Sequence, residues 1–231
     1  MSRTLADGSA GAVPATSTDG SPGPEVLRAD ARRNRDQLIA AAARAFVEDG
    51  PDVPMDQIAR AAGVGVGTLY RRFADRESLM VAVLRHSLAT LLDDVRRAAA
   101  EEPRAWDALV VSMSYSRELR ASVPIASTLP PELAARLHDD PVIRGLRREL
   151  AEVADRLVEA AQQEGTLRSD VGGGDVTRLF SLVHRGASDP LDEAADLGSR
   201  RALGVILDGL RAAGHEALPG GPIRTRDLQA G

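Results

Sequence analysis

The chain has 231 residues, a formal net charge of −5, and 43% hydrophobic and 27% charged residues, the proportions of a globular protein and not of a disordered one. It holds no cysteine, which excludes disulfide frameworks, thiolate zinc sites and cysteine nucleophiles together, and no run approaches the roughly 18 apolar residues of a membrane span. Aromatics make up only 3%, so a core must come from Leu, Val, Ile and Ala, which favours helices. The length allows one or two domains. No secretory signal is visible, so a cytoplasmic location is expected. All 29 basic residues are arginine. Because they cover the whole chain, GC-rich coding is a simpler account than a general need for guanidinium chemistry.

Residues 1–27 are rich in Gly, Ser, Thr, Ala and Pro and cannot offset the entropy of ordering, so a disordered tail is expected. Arg28, Arg32, Arg33 and Arg35 lead into a first helix whose apolar stripe is Leu38, Ile39, Ala42, Phe46 and Val47, ended by Gly50-Pro51. Four arginines at a helix start oppose the macrodipole, which prefers anions there, so they call for another explanation.

From Pro54 to Phe73 the pattern is helix, turn, helix. Met55, Ile58, Ala59 and Ala62 recur at helical spacing, with Pro54 suited to the first helical position. Gly63 stands where the chain must turn with positive φ, and Val64 points back inward. A second helix has Leu69 and Phe73 on its buried side and Thr68, Tyr70, Arg71 and Arg72 outward. Between Arg60 and Arg76 four arginines face one acid, Asp75. A basic helix on an acidic protein suits phosphate docking, although a helix–Gly–helix unit also occurs in ordinary bundles.

Asp75 is a good N-cap for a fourth helix running to about Glu102, with Leu84, Leu88, Leu91, Leu92 and Val95 inward. A helix from Pro103 to about Arg120 carries Trp106, Leu109, Val110, Met113 and Arg117, with Tyr115 off that stripe. Pro124 and Pro130-Pro131 interrupt around a short helix ending near His138. His138-Asp139-Asp140 lacks further metal ligands at helical spacing, and Asp140 before Pro141 reads as an N-cap. A long helix from Pro141 to Glu164 turns Ile143, Leu146, Leu150, Val153, Leu157 and Ala161 inward. Gly165 closes it, and Gly172-Gly173-Gly174 reads as a loose surface loop. Asp175 would cap a helix bearing Val176, Leu179, Phe180 and Val183. Pro190 would open the last one, with Leu203, Ile206, Leu207 and Leu210 aligned. From Gly214 onward Gly and Pro return, and fraying is expected.

Residues 32–80, above all Ile58-Ala59, Ala62-Gly63-Val64, Gly67-Thr68-Leu69-Tyr70, Phe73 and Glu77-Ser78-Leu79, resemble the TetR family of bacterial transcriptional regulators. The match has many points at fixed spacing. It implies an all-α chain: a three-helix helix-turn-helix DNA-binding domain over 28–80 (helix-turn-helix 54–73), a helical ligand-binding and dimerisation domain over 81–213, and flexible tails at 1–27 and 214–231. In that family the second of the paired helices lies in the major groove. The resemblance implies DNA contacts from Thr68 and Tyr70, with Val66 and Gly67 against base edges, Gly65 also at the DNA, Arg71 and Arg72 on the outer face, and a phosphate held by Arg76. Some members use basic residues at the start of the first helix on phosphates or in the minor groove, which implies that role for Arg32, Arg33 and Arg35. Arg76 stands where the family usually has lysine, Gly65 where it often has serine, and Asp56 at a site basic in some members. The fourth helix would connect head to body, its tilt sensing a ligand.

The resemblance places a pocket for an unknown small-molecule effector among the body helices, where Trp106, Val110, Met113, Arg117 and Phe180 are candidates; such a stripe is as often plain core. The final two helices would pair with their copies in a homodimer. Gly198, Gly204 and Gly209 cost about 1 kcal/mol each in a helix relative to alanine, which close approach across a two-fold axis would justify, as would compositional drift. Enzymatic signatures are missing. The four histidines, 86, 138, 184 and 215, are scattered, there is no Gly-x-Ser-x-Gly elbow, and adjacent acid pairs such as Asp93-Asp94 diverge on a helix. Gly63-Val-Gly65-Val-Gly67 lacks the strand and spacing of a phosphate cradle. The expected function is a ligand-responsive regulator, a repressor by resemblance, binding a palindromic double-stranded DNA operator, without cofactor, metal or membrane partner. The alternative is a helical ligand-binding or interaction protein without DNA affinity.

Overall fold

The structure is a computed structural model that describes residues 24–50, 52–114, 131–185, 193–214 and 216–228. Among these the regular elements are helical: α1 Pro24–Glu48, α2 Met55–Ala61, α3 Val66–Arg72, α4 Arg76–Glu101, α5 Ala105–Ser114, α6 Pro131–Asp139, α7 Pro141–Gln163, α8 Gly173–Arg185, α9 Glu193–Leu210, and a closing 3-10 turn, Thr225–Leu228. No described helix is long and apolar enough to cross a membrane. Packing divides the chain between Asn34 and Arg35. The described part of the first unit is the opening stretch of α1, and the second unit holds the rest.

Within the second unit the apolar stripes meet as their spacing predicts. Leu38, Ile39, Ala42 and Phe46 of α1 join Met55, Ile58 and Ala59 of α2, Leu69 of α3 and the adjoining Phe73, and Leu79, Met80, Ala82 and Val83 of α4 in one buried cluster. A second cluster begins further along α4 with Leu92, Val95 and Ala98, and adds Trp106, Leu109 and Met113 of α5, Val153, Leu157 and Ala161 of α7, Val176 of α8 and Leu210 of α9. Between them Leu84 of α4, Leu133 and Leu137 of α6 and Ile143 of α7 form a third. The long helix α4 thus contributes to all three cores, and α5 and α7 pack along it.

Helix ends follow local chemistry. Asp75 caps α4 through a reciprocal capping box with Ser78: Ser78 N donates to Asp75 Oδ1 at 2.7 Å, and Asp75 N to Ser78 Oγ at 3.3 Å. These bonds, the backbone one foremost, hold the Asp75 carboxyl below its ordinary range. Asp140 caps α7, accepting from Val142 N and Ile143 N at 3.0 Å each. Pro54 lies one residue outside α2, as its N-cap.

Several expectations need correction. Helix α1 begins at Pro24, so residues 24–27 of the expected tail are helical. Arg32, Arg33 and Arg35 therefore lie beyond the first turn, where the dipole conflict has faded. Gly172, Gly173 and Gly174 are buried, not a loose loop, because the backbone of Ile223 and Arg224 passes against Gly172 and Gly174 and the Asp155 side chain against Gly173. Asp175 reaches back from inside α8, accepting from Gly172 N at 2.9 Å. The stretch after Gly214 does not fray over residues 216–228. Gly174 N donates to Ile223 O at 2.9 Å, Leu218 N donates to Asp170 Oδ2 at 2.9 Å, and Thr225 is buried. Its Gly and Pro content reflects a winding path that bonds to distant residues as well as closing in a local 3-10 turn. The start of the last helix at Pro190, and the part of α5 expected beyond Ser114, fall outside the described residues.

Candidate nucleic-acid interface

The turn between α2 and α3 is built on Gly63, whose φ of +68° lies in the left-handed region. Val64 N donates to Ala59 O and Gly63 N to Arg60 O, both at 3.0 Å. This crossed pair is the Schellman arrangement, which satisfies the last carbonyls of α2 while reversing the chain. Val64 then packs against the head core. Gly65 follows as the N-cap of α3 in extended backbone, and supplies no side-chain bond.

Two inward side chains hold α3 in place. Leu69 is 0% exposed and Phe73 is buried beside it. Burying one such side chain is worth about 1.5–3 kcal/mol. Away from that anchor Tyr70 is 50% exposed and Val66 comparably so, while among the described residues nothing lies within 4 Å of a Cβ added at Gly65 or Gly67. Arg71 and Arg72 are exposed on the same short helix. Thr68 is half-buried, and its Oγ1 accepts from Arg71 Nη2 at 2.8 Å. This pair follows from the three-residue spacing that makes helical neighbours, a signal present in the sequence. The phenol, the apolar Val66 and two guanidinium groups are thus all exposed around a short helix seated by Leu69.

The flanking charges are arranged less freely. On α2, Asp56 pairs with Arg60 at 3.0 Å, so this acid neutralises its own helix neighbour. Arg35 lies over the Phe73 ring, 5.5 Å from its centroid, a cation–π contact worth about 0.5–1 kcal/mol at an exposed site. Arg76 turns back from the surface: its Nη2 donates to Val53 O, and at 3.4 Å to Asp52 O, in the loop before α2. Sequence spacing carries no signal for that bond, since its partners lie more than twenty residues upstream and are backbone atoms. Arg33 is exposed on α1; it and Arg32 belong to the unit ending at Asn34, and the side chain of Arg32 is outside the described residues.

In the body, Trp106 and Met113 are buried, and Val110 and Phe180 pack against the same cluster half-buried. Arg211 lies over the Trp106 ring, 4.8 Å from the centroid. These residues are core packing as they stand, and Arg117 lies outside the described residues. Among the described residues no group of three or more His, Asp or Glu is placed to hold a metal ion.

Comparison with known proteins agrees with this geometry. The profile of bacterial regulatory proteins of the TetR family matches residues 38–83, and that of the C-terminal domain of SbtR-like transcriptional regulators matches residues 107–212. The TetR transcription regulatory protein of Mycobacterium vanbaalenii is 33% identical, with 80% of this chain and 99% of that one covered at a TM-score of 0.56. The TetR transcriptional regulator SCO0520 of Streptomyces coelicolor is 32% identical, with 78% and 99% covered and the same TM-score. An HTH-type transcriptional regulator of Staphylococcus aureus is 31% identical over 90 residues, 38% of this chain. This chain spans about half the length of the curated relatives it matches, 49% in that case. The head, the body and the two full-length likenesses agree: the chain belongs to the TetR family of bacterial regulatory proteins.

Proposed function

We propose that this protein is a DNA-binding transcriptional regulator whose α3 enters the major groove, that it works as a homodimer on a palindromic operator, and that a small molecule received by the helical body releases it. The observation that carries the proposal is the division of α3 into two faces. Leu69 and the adjoining Phe73 anchor it in the head core, and Val66, Tyr70, Arg71 and Arg72 are left outside. Such a rod presents guanidinium groups for phosphates and a phenol and small residues at groove depth. Arg71 would exchange its Thr68 partner for phosphate. Arg76 acts in this scheme as a brace between α4 and the loop before α2, not as a free phosphate grip.

Support for the homodimer lies on the last two helices. Val205 is 74% exposed, and Leu182 and Leu197 are also exposed. Leu197 and Val205 project from the face of α9 opposite Leu203, Ile206 and Leu207, which pack on the body core. Among the described residues nothing lies within 4 Å of a Cβ added at Gly198, Gly204 or Gly209, so the described part of this chain does not require them to be small. Close approach of a second copy would. A two-fold dimer places two α3 helices on one side of the duplex, so half-sites should be centred about 34 Å, or one helical turn, apart. Repression is the expected direction of control.

The test is a gel shift with DNA from upstream of the protein's own gene. Wild-type protein should retard a fragment holding an inverted repeat, and Tyr70→Ala should weaken the shift while leaving the fold intact. Failure of the wild-type protein to distinguish that fragment from random DNA would favour a helical interaction protein without an operator.

A further inference from the structure

The segment from Glu216 to Leu228 makes bonds that a mere tail would not make. Leu218 N reaches Asp170 Oδ2, and Arg168 Nη2 donates to Glu216 O at 2.7 Å. Arg168 is itself paired with Asp170 at 2.6 Å, and its Nη1 donates at 3.1 Å to Gly209 O at the end of α9. That guanidinium holds the Asp170 carboxyl well below the usual carboxylate range. Further along, Ile223 N donates to Asp175 Oδ2 at 2.9 Å, the same oxygen that accepts from Gly172 N. Thr225 Oγ1 donates to Asp155 of α7, and the hydroxyl is carried on a buried residue.

The three glycines fit this path. A Cβ on Gly174 would stand 2.7 Å from both Ile223 O and Arg224 O, a Cβ on Gly172 would stand closer still to Ile223 O, and one on Gly173 would collide with the Asp155 carboxylate. None of the three has a positive φ in the range that demands glycine. Turn geometry therefore does not explain them; backbone approach does at Gly172 and Gly174, and the Asp155 side chain does at Gly173.

We infer that residues 216–228 are a strap whose seating fixes the start of α8 against α7 and ties it to the end of α9, and that Gly172 and Gly174 are present to admit it. The strap acts on the two helices whose outer faces carry the exposed Val205 and Leu182. Its seating would set their mutual placement, but the inference stands whether or not the protein binds DNA.

The test is a double-mutant cycle in the full-length chain, read by thermal melting and by amide hydrogen exchange. Thr225→Glu sets a carboxylate against Asp155 and should unseat the strap; Thr225→Ser keeps the donor and should not. With the strap seated, Gly174→Ala should lower Tm by a few degrees and speed exchange at Ile223. In the Thr225→Glu background the same substitution should cost nothing or raise Tm, because alanine is then simply the better helix former. Thr225→Glu alone should speed exchange at Gly172 and Gly174 while leaving Ile58 and Leu69 protected. An equal loss from Gly174→Ala in both backgrounds would overturn the inference. So would unchanged exchange at Gly172 and Gly174 in the Thr225→Glu protein, an outcome readable even if the alanine variant does not fold.

Discussion

Arg85 on α4 donates to the carboxylate of Asp140, the residue that caps α7. One oxygen of Asp140 takes the guanidinium and the other takes the first amides of α7. A second ion pair, Glu77 with Arg136, joins the first turn of α4 to α6. Any change in the body that moves α6 or α7 therefore bears on α4 at two points close to the helix-turn-helix head.

Asp140 separates two contributions by substitution. Asp140→Asn keeps a capping oxygen and removes the charge, whereas Asp140→Ala removes both. The alanine variant should lose about 1–2 kcal/mol from the cap, and the asparagine variant should lie between it and wild type in urea melts. The Arg85 partnership, ahead of the backbone bonds, holds the Asp140 carboxyl below its ordinary range. Its stabilising effect is thus complete above the unfolded value of about 3.9 and is lost as pH falls through the lower folded-state value. The gap between wild type and Asp140→Asn should shrink in acid; a gap constant with pH would show that the pair contributes nothing.

Gly63 offers a test of the turn. An alanine there would have to adopt a left-handed conformation, at roughly 1–2 kcal/mol, although open space surrounds the position. Gly63→Ala should lower the melting temperature by that equivalent and weaken operator binding, because the α2–α3 angle carries the strain. Full stability in the variant would mean that the turn relaxes to another geometry.

Val205 tests the assembly. Val205→Asp places a charge at the centre of the exposed face of α9, where two copies would meet. The variant should sediment as a monomer while the wild-type protein sediments as a dimer, and the melting temperature should depend on protein concentration only for wild type. A dimer that persists through this change would place the interface elsewhere.

Much of the fold was legible because its determinants are local. Stripes at helical spacing located the inward faces of α2, α4 and α7, and Asp75, Asp140 and Gly63 marked ends that depend on one or two neighbouring residues. Leu69 and Phe73, four residues apart, could be assigned to the inward side of α3 by spacing alone. What could not be read depended on partners far away in sequence. Arg76 looks like a surface cation until the carbonyls of Asp52 and Val53 are brought beneath it. The Gly172-Gly173-Gly174 run and the stretch after Gly214 each read as loose, since neither shows an apolar period. Each is ordered by the other, through Ile223, Thr225, Asp155 and Asp175. Trp106 and Met113 lie on the predicted stripe, but the same stripe serves a core or a pocket, and spacing does not choose between them.

The central claim is that a stably packed α3 offers its outer face to DNA. It is tested most directly by fluorescence anisotropy of operator binding across a salt series, with melting curves on the same samples, for wild type, Arg72→Ala and Leu69→Ala. Arg72→Ala should melt like wild type, bind more weakly, and flatten the slope of log affinity against log salt by about one unit for each head on the DNA. Leu69→Ala should lose about 2–5 kcal/mol of stability, and its binding should fall with its folded fraction. An Arg72→Ala protein with unaltered affinity and unaltered salt slope would contradict the account.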